Sequence, residues 1–158
     1  MKLAIGCDDA AFELKELIKR HLIEKGLDVT DFGTYDTQPV NYPNIAFAVA
    51  ESIVRGESER AVLLCGTGIG MAISANKVSG IRAAQCHDTY SAERAIRSND
   101  AQIITLGSRV VGSELAKAIV DTWLGARFDG GRSAAKVDRI KEYEENLRYP
   151  LAAADKGP

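Results

Sequence analysis

Short apolar segments alternate with helical segments along the chain, and this alternation limits the fold more than any other feature. Five runs of β-branched and aliphatic residues are separated by stretches with helical periodicity, and the connections between them are short. We predict strands at residues 2–7, 28–32, 60–65, 81–86 and 102–106. We predict helices at residues 12–25, 45–55, 71–77, 90–97, 113–124 and 134–148. Because alternating strands and helices form an open parallel sheet with helices on both faces, we expect an α/β fold.

The chain of 158 residues has the size of one domain, which we place at residues 1–150, followed by a flexible tail at residues 151–158. Its hydrophobic content of 46% and charged content of 27% are typical of globular proteins. The net charge of −2 argues against nucleic-acid or anionic-membrane partners, so a phosphate ligand would need locally placed cations. No apolar segment has membrane-spanning length and the first residues do not read as a signal peptide, which favours a cytoplasmic location.

Cys65 ends the third predicted strand and leads directly into a glycine-rich turn, Gly66-Thr67-Gly68-Ile69-Gly70. Glycines let the backbone turn sharply and bring its N–H groups close to a ligand. A helix is predicted after the turn, and a helix N-terminus favours the thiolate form of cysteine and binds anions. The three cysteines of the chain are widely spaced, which indicates neither a disulfide framework nor a metal site. The junction therefore predicts a reactive sulfur beside an anion-binding backbone.

Two nucleotide-binding motifs are alternatives for the same turn. A P-loop requires a Gly-Lys pair followed by Ser or Thr, and the chain contains no such pair. A dinucleotide fingerprint requires Gly-x-Gly-x-x-Gly, whereas this turn reads Gly-x-Gly-x-Gly, although Asp88 is spaced as a ribose-binding acid would be. A purely structural turn is the third alternative, and Cys65 at its entrance favours catalysis instead.

Chemically versatile side chains follow the predicted strands at their carboxyl ends, where open parallel sheets bind ligands. They are Asp8, Asp9, Cys65, His87, Asp88 and Arg109. His87 suits either a capping role or a catalytic one. Arg132 and Lys136 are four residues apart near the start of the last predicted helix, where they could form a solvated face or a phosphate clamp.

In a series of short sequence blocks, the chain resembles the ribose-5-phosphate isomerase B family, which also includes galactose-6-phosphate isomerase subunits. The resemblance covers residues 2–148 and is carried by blocks that occur in the right order. These are Ile5-Gly-Cys-Asp8, Asp31-Phe-Gly-Thr34, Tyr42-Pro43, Leu64-Cys-Gly-Thr-Gly-Ile-Gly70, Ser74-Ala-Asn-Lys77, Gly80-Ile-Arg-Ala83, Tyr90-Ser-Ala92, Asn99-Asp100, Leu106-Gly-Ser-Arg-Val-Val-Gly112 and Gly130-Gly-Arg132. The resemblance implies a Rossmann-like three-layer αβα sandwich with a five-stranded parallel sheet and an extended C-terminal helix.

The resemblance also implies an activity: aldose–ketose isomerisation of phosphorylated sugars, without metal or cofactor, in a homodimer whose active sites use both subunits. A tetramer is left open. Cys65 would be the base that forms a cis-enediolate, with Thr67 bonded to the sulfur or to a substrate hydroxyl, and backbone N–H groups would hold the enediolate oxygen. Arg109, Arg132 and Lys136 would bind the phosphate. The substrate-binding residues implied in this way are Asp8, Asp9, Tyr42, Gly66, Gly68, Ile69, Gly70, Ser98, Asn99, Arg109, Arg132 and Lys136.

The chain departs from the family pattern at four positions of the same implied pocket. Asp9, Ser98 and Ser133 stand where family members usually carry histidine, and Lys136 replaces an arginine. The histidine expected at position 98 opens the sugar ring. A serine hydroxyl cannot replace it, because it exchanges no proton near neutral pH.

Two hypotheses account for the missing ring-opening histidine. Either His87 has taken over its role, or the substrate needs no ring opening. A pentose 5-phosphate closes through its C4 hydroxyl, whereas a tetrose 4-phosphate has that oxygen blocked and stays open. The second hypothesis predicts an isomerase of erythrulose 4-phosphate and erythrose 4-phosphate, and members serving erythritol breakdown are similar at residues 90–94, 99, 101–105 and 131–134. A non-catalytic protein that binds sugar phosphates or nucleotides is the alternative from another class.

Overall fold

Five parallel strands form the central sheet of the computed structural model, which describes residues 1–148. The tail predicted at residues 151–158 and the last two residues of the predicted domain lie outside the described residues. The strands are β1 (Lys2–Cys7), β2 (Asp28–Asp31), β3 (Arg60–Cys65), β4 (Ala83–Gln85) and β5 (Ile103–Gly107). Their order in the sheet is β2-β1-β3-β5-β4, with every neighbouring pair parallel. The predicted α/β fold is confirmed.

The described residues form six α-helices and two short 3₁₀ turns, of which the first four helices and the first 3₁₀ turn connect the strands. The helices are α1 (Phe12–Glu24), α2 (Tyr42–Val54), α3 (Ile69–Ala75), α4 (Thr89–Arg97), α5 (Ser113–Gly125) and α6 (Ala134–Arg148). The 3₁₀ turns are Asp9–Ala11 and Gly131–Ser133. Most boundaries lie within one or two residues of those predicted from the sequence.

Two boundaries differ more, and each has a local cause. Helix α2 begins three residues earlier than predicted, because Pro43 lies in its first turn, where a helix needs no N–H donor. Strand β4 has three residues instead of six. The N–H of Arg82 is bonded to the side-chain oxygen of Gln102 at 2.9 Å and not to a strand, so the ladder begins only at Ala83.

Helices cover both faces of the sheet, as expected for strands that are apolar on both sides. Helices α1, α4 and α5 form one layer, in which Trp123 is fully buried and donates its Nε1–H to the carbonyl of Ala101 at 3.2 Å. Helices α2 and α3 form the other layer. The core therefore lies in two parts, one on each side of the sheet.

The direction of winding changes between β1 and β3. After β1 the chain moves outward to β2, and after β3 it moves outward on the other side to β4 and then returns to β5, which lies between β3 and β4. The connections that leave β1 and β3 therefore diverge, and a crevice opens at their carboxyl ends. Asp8 and Cys65 lie at this crevice, since Cys7 pairs with Leu64 and the N–H of Asp8 donates to the Leu64 carbonyl at 3.1 Å.

A buried lysine fixes the loop after β2 against the end of β1. The Lys15 ammonium is fully buried and lies 2.8 Å from Asp31 Oδ2, from Glu16 Oε1 and from the carbonyl of Thr34. Thr34 in turn donates its N–H to the Cys7 carbonyl at 2.8 Å, one residue before the crevice. Burial disfavours ionisation of Asp31, but hydrogen bonds from Lys15 and Lys19 outweigh it and lower its pKa.

Helix α6 lies on the surface and confirms the predicted terminal helix. Val137 is buried, whereas Ile140, Tyr143 and Leu147 are exposed. Glu144 accepts the N–H of Gly80 at 2.9 Å and so attaches the helix to the turn before β4. Within residues 1–148, no helix combines the length and apolar character needed to span a membrane.

The Lys15 network predicts a stability effect. Asp31→Asn should lower the free energy of unfolding by about 2–3 kcal/mol, less than for a fully orphaned buried charge, because Glu16 still faces Lys15. Glu57→Gln, in an exposed pair with Arg55, is the control and should change the free energy of unfolding far less, because water screens an exposed ion pair. Urea unfolding measures both.

The Asp31 effect should also depend on pH. A carboxylate whose pKa is lowered by folding stabilises the protein above its unfolded pKa, and this contribution is lost as pH falls through the folded pKa. The difference between wild type and Asp31→Asn should therefore shrink below about pH 4. Equal unfolding free energies at pH 7 would contradict the role given to Asp31.

Candidate active site

Strand β3 places Cys65 at the bottom of a cleft of about 350 Å³ at the carboxyl edge of the sheet. The thiol is 5% exposed, and its sulfur accepts the N–H of Gly68 at 3.0 Å. The cleft is lined by Asp8, Asp9, Ala10, Tyr42, Cys65, Gly66, Thr67, Gly70 and Arg109. Most of the site residues expected from the first two-thirds of the chain are therefore brought together.

The glycines of the turn are required by their surroundings. Gly68 has a φ of +79°, and a Cβ added there would lie 3.0 Å from the Leu106 backbone. A Cβ on Gly70 would lie 2.7 Å from the ring of Tyr42, so the aromatic side chain occupies the space that glycine leaves. Arg109 lies across Gly66, with guanidinium atoms 3.5 Å from the position a Cβ would take.

The carbonyl groups of Cys65 and of the first three turn residues each accept a hydrogen bond from β4, from β5 or from the residues that follow β5. The bonds run from Ser108 N–H to the Cys65 carbonyl (2.9 Å), Arg109 N–H to Gly66 (3.1 Å), Gln85 Nε2 to Thr67 (2.7 Å) and Thr105 Oγ1 to Gly68 (2.8 Å). Within residues 1–148, the N–H groups of Gly66 and Thr67 donate to no protein acceptor. Because both residues line the cleft, the turn offers backbone donors to a ligand oxygen.

Asp8 adds an acidic group to the cleft. Its Oδ1 atom is buried and has no hydrogen-bond partner among the described residues. Burial and the neighbouring Asp9 carboxylate raise the pKa of Asp8, although the N–H groups of Ala10 and Ala11 oppose this. An unpaired polar atom at a ligand cleft is suited to a substrate hydroxyl.

His87 and Asp88 do not line the cleft. The Nε2 atom of His87 accepts the N–H of Gly107 at 3.0 Å. Asp88 caps helix α4, accepting from the Ser91 N–H at 2.7 Å and from the Ser91 hydroxyl at 2.6 Å. These hydrogen bonds lower the pKa of Asp88. Both residues have structural partners, as the capping alternative for His87 expects.

Gly68 and Ile69 belong to the turn itself but do not line the cleft, and the other predicted site residues, Ser98, Asn99, Arg132 and Lys136, lie at the opposite edge of the sheet. Ser98 and Asn99 follow helix α4, which runs back from the carboxyl edge and ends before β5 begins. Arg132 follows the loop that holds Arg60, the first residue of β3, through the Ala126 carbonyl at 3.1 Å. Since β3 has six residues at about 3.3 Å each, the two edges are about 16 Å apart.

The exposed cations Arg132 and Lys136 are therefore far from Cys65 of the same chain. The resemblance implied active sites built from both subunits, but the sequence did not show at which edge of the sheet each residue lies. Within one chain, the structure brings Cys65, Asp8, Tyr42 and Arg109 together around one cleft.

A ribose/galactose isomerase family model matches residues 3–140. The chain belongs to the ribose/galactose isomerase family.

Individual members of this isomerase family match over nearly their whole length. A ribose-5-phosphate isomerase B of Listeria innocua is 53% identical, over 94% of this chain and 100% of that protein. A D-erythrulose-4-phosphate isomerase of Pectobacterium atrosepticum is 55% identical, over 94% and 99%. The solved structure of Clostridium thermocellum ribose-5-phosphate isomerase B has a TM-score of 0.92 and 48% identity, over 93% and 99%.

The other two cysteines of this isomerase-family chain are distinct from Cys65. Cys7 and Cys86 are buried, and burial raises the pKa of each thiol to about 12. Both are therefore poor nucleophiles and poor bases at neutral pH. Cys65 is the cysteine that lines the cleft.

Three residues that hold the turn were missed at the sequence level: Gln85, Thr105 and Ser108. Thr105 carried a usable signal, because it is a polar residue in the middle of a strand with every residue buried. The roles of Gln85 and Ser108 depend on which strands are neighbours, and the sequence did not give the order of the strands.

Proposed function

We propose that the protein is an aldose–ketose isomerase of phosphorylated sugars, with Cys65 as the base. One observation carries this proposal: the Cys65 sulfur lies in the cleft with a backbone donor on it and two further N–H groups free beside it. The relatives at 53% and 55% identity, an isomerase of a pentose phosphate and one of a tetrulose phosphate, support the same class of reaction.

In the proposed reaction, the Cys65 thiolate removes a proton from the carbon next to the carbonyl group. The electron pair of that C–H bond forms the C=C bond of a cis-enediolate, and negative charge moves to the former carbonyl oxygen. The N–H groups of Gly66 and Thr67 stabilise this charge. The thiol then protonates the neighbouring carbon and a proton passes between the two enediol oxygens, so aldose becomes ketose without net change in atoms or electrons.

The proposed binding residues come from two copies of the chain. Asp8, with its unpaired Oδ1, contacts a sugar hydroxyl, and Arg109 contacts the phosphate from the same side as Cys65. Ser98, Asn99, Arg132 and Lys136 lie too far from their own Cys65, so a partner subunit supplies them in a homodimer with two shared sites. A tetramer and a cytoplasmic location stay predictions.

Two substrates fit this chemistry: a pentose 5-phosphate of the ribose type, and an open-chain tetrulose 4-phosphate. The tetrulose is favoured because the two side chains available for ring opening, His87 and Ser98, already have hydrogen-bond partners. His87 Nε2 is engaged by the Gly107 N–H, and the Ser98 hydroxyl accepts from Arg94 Nε at 3.0 Å. Neither group is placed to exchange a proton with a ring oxygen. An open-chain substrate removes the need for such a group.

Replacement of the proposed base is the first test. Cys65→Ser should lower kcat by about 100-fold or more, the usual contribution of a general base, while the free energy of unfolding changes little. Cys86→Ala is the matched control, because this buried cysteine does not line the cleft, and it should keep most of the activity. Full turnover by Cys65→Ser would refute the assignment. Sugar-phosphate binding without proton exchange in D₂O would instead indicate a non-catalytic binder.

Substrate choice can be measured on one preparation with ribose 5-phosphate and erythrulose 4-phosphate. We expect a higher kcat/KM for the tetrulose. Ser98→His should then raise kcat/KM for the pentose more than for the tetrulose, because imidazole can exchange a proton with the ring oxygen. A strong preference of the wild type for ribose 5-phosphate would contradict the open-chain hypothesis.

Shared active sites can be tested by complementation. Cys65→Ser and Arg132→Ala should each be nearly inactive alone. In a mixed dimer one site carries both changes and the other carries neither, so random co-assembly should restore about one quarter of wild-type activity. Co-expression with two different affinity tags isolates the mixed dimer. No recovery of activity in it would show that both residues serve the same subunit's site.

A further inference from the structure

Gln85 makes an unusual contact for a residue on an edge strand. It ends β4, the outermost strand of the sheet, and pairs in register with Thr105. Its backbone is at the edge, yet its side chain reaches inward and donates Nε2–H to the Thr67 carbonyl at 2.7 Å. Gln85 does not line the cleft, so any effect on a ligand there acts through the glycine turn.

The peptide group that Gln85 contacts is the one that contacts Cys65. The carbonyl of Thr67 and the N–H of Gly68 belong to a single amide. Its oxygen accepts from Gln85, and its N–H donates to the Cys65 sulfur at 3.0 Å. A hydrogen bond to an amide oxygen polarises the amide and strengthens the bond that its N–H donates. The three groups therefore form a chain from the glutamine, through the peptide, to the sulfur.

This peptide needs an external restraint. Gly68 has no Cβ and a φ of +79°, a region that glycine enters and leaves at little cost, so the amide before it can rotate. The next peptide is held separately, because the buried Thr105 hydroxyl donates to the Gly68 carbonyl at 2.8 Å. Within residues 1–148, the side chain of Gln85 is the group that holds the Thr67 carbonyl.

We propose that Gln85 is a positioning residue for Cys65, which keeps the Thr67–Gly68 amide turned so that its N–H points at the sulfur. This inference rests on the proposed role of Cys65 as base. Without the glutamine, the amide rotates more freely, the sulfur loses its donor for part of the time, and the thiolate is less stabilised. Substrate contacts made by Asp8, Tyr42 and Arg109 are unaffected.

Three variants at position 85 separate the hydrogen bond from packing. Gln85→Met has similar length but no donor, Gln85→Asn keeps the amide but is too short, and Gln85→Arg keeps planar N–H donors with longer reach. The exposed Gln38, whose side chain donates no hydrogen bond within the described residues, supplies the control Gln38→Met.

The readout is the pH dependence of Cys65 alkylation by iodoacetamide, located by peptide mass mapping, together with kcat and KM. Cys7 and Cys86 are buried with pKa values near 12, and Cys65→Ser supplies the blank. Gln85→Met and Gln85→Asn should move the alkylation midpoint upward by about 0.5 pH unit and lower kcat about 3- to 10-fold, the size of one net hydrogen bond. KM should stay within about twofold and Gln38→Met should match wild type, whereas Gln85→Arg should keep most of kcat with a midpoint at or below that of wild type, because a cation favours the thiolate.

The outcomes distinguish this inference from the proposed function. An alkylation profile for Gln85→Met that coincides with wild type would overturn the role of Gln85, whatever happens to activity. A rise in KM alone, or equal losses in all three variants at position 85, would indicate a purely structural role and overturn it as well. Full turnover by Cys65→Ser would refute the base while leaving the alkylation comparison valid.

Discussion

The pairing of β3 with β5 is the contact on which the carboxyl edge of this protein depends. Cys65 is in register with Gly107, and a Cβ on Gly107 would lie 2.8 Å from the backbone of Thr67. Strand β5 therefore presses directly against the glycine turn. Ser108 and Arg109 follow this strand, and their N–H groups donate to the carbonyls of Cys65 and Gly66. One strand pair therefore sets the positions of the sulfur, the glycine turn and the Arg109 guanidinium.

The two edges of the sheet have different chemical tasks. The carboxyl edge carries the sulfur, the free backbone N–H groups and the acidic pair Asp8 and Asp9, which suit proton transfer on a polar substrate. The amino edge carries Arg132 and Lys136. Because the net charge of −2 gives no overall attraction for polyanions, the proposed phosphate binding depends on a few cations at fixed places.

The sequence predicted the fold well, because the apolar periodicity that distinguishes strands from helices is a local property of the sequence. Strands β1 and β3 were predicted to the residue. It also located the cleft, since parallel strands bring Asp8 and Cys65 to one edge whatever their order. It failed where strand order or chain direction decides. Gln85 was missed because its contact with the turn requires β4 to lie beside β5, and the sequence did not show that helix α4 carries Ser98 to the edge opposite Cys65.

The short outer strand also affects how loss of structure would be observed. Strand β4 has three residues and one neighbour, so local opening there costs less than global unfolding. Such opening would release the hydrogen bond from Gln85 to the Thr67 carbonyl, while the layer formed by α1, α4 and α5 stays intact. Trp123, the single tryptophan of the chain, is buried in that layer, so its fluorescence would stay native-like after the turn has loosened. A fluorescence melting curve would therefore overstate the temperature range in which the cleft keeps its shape.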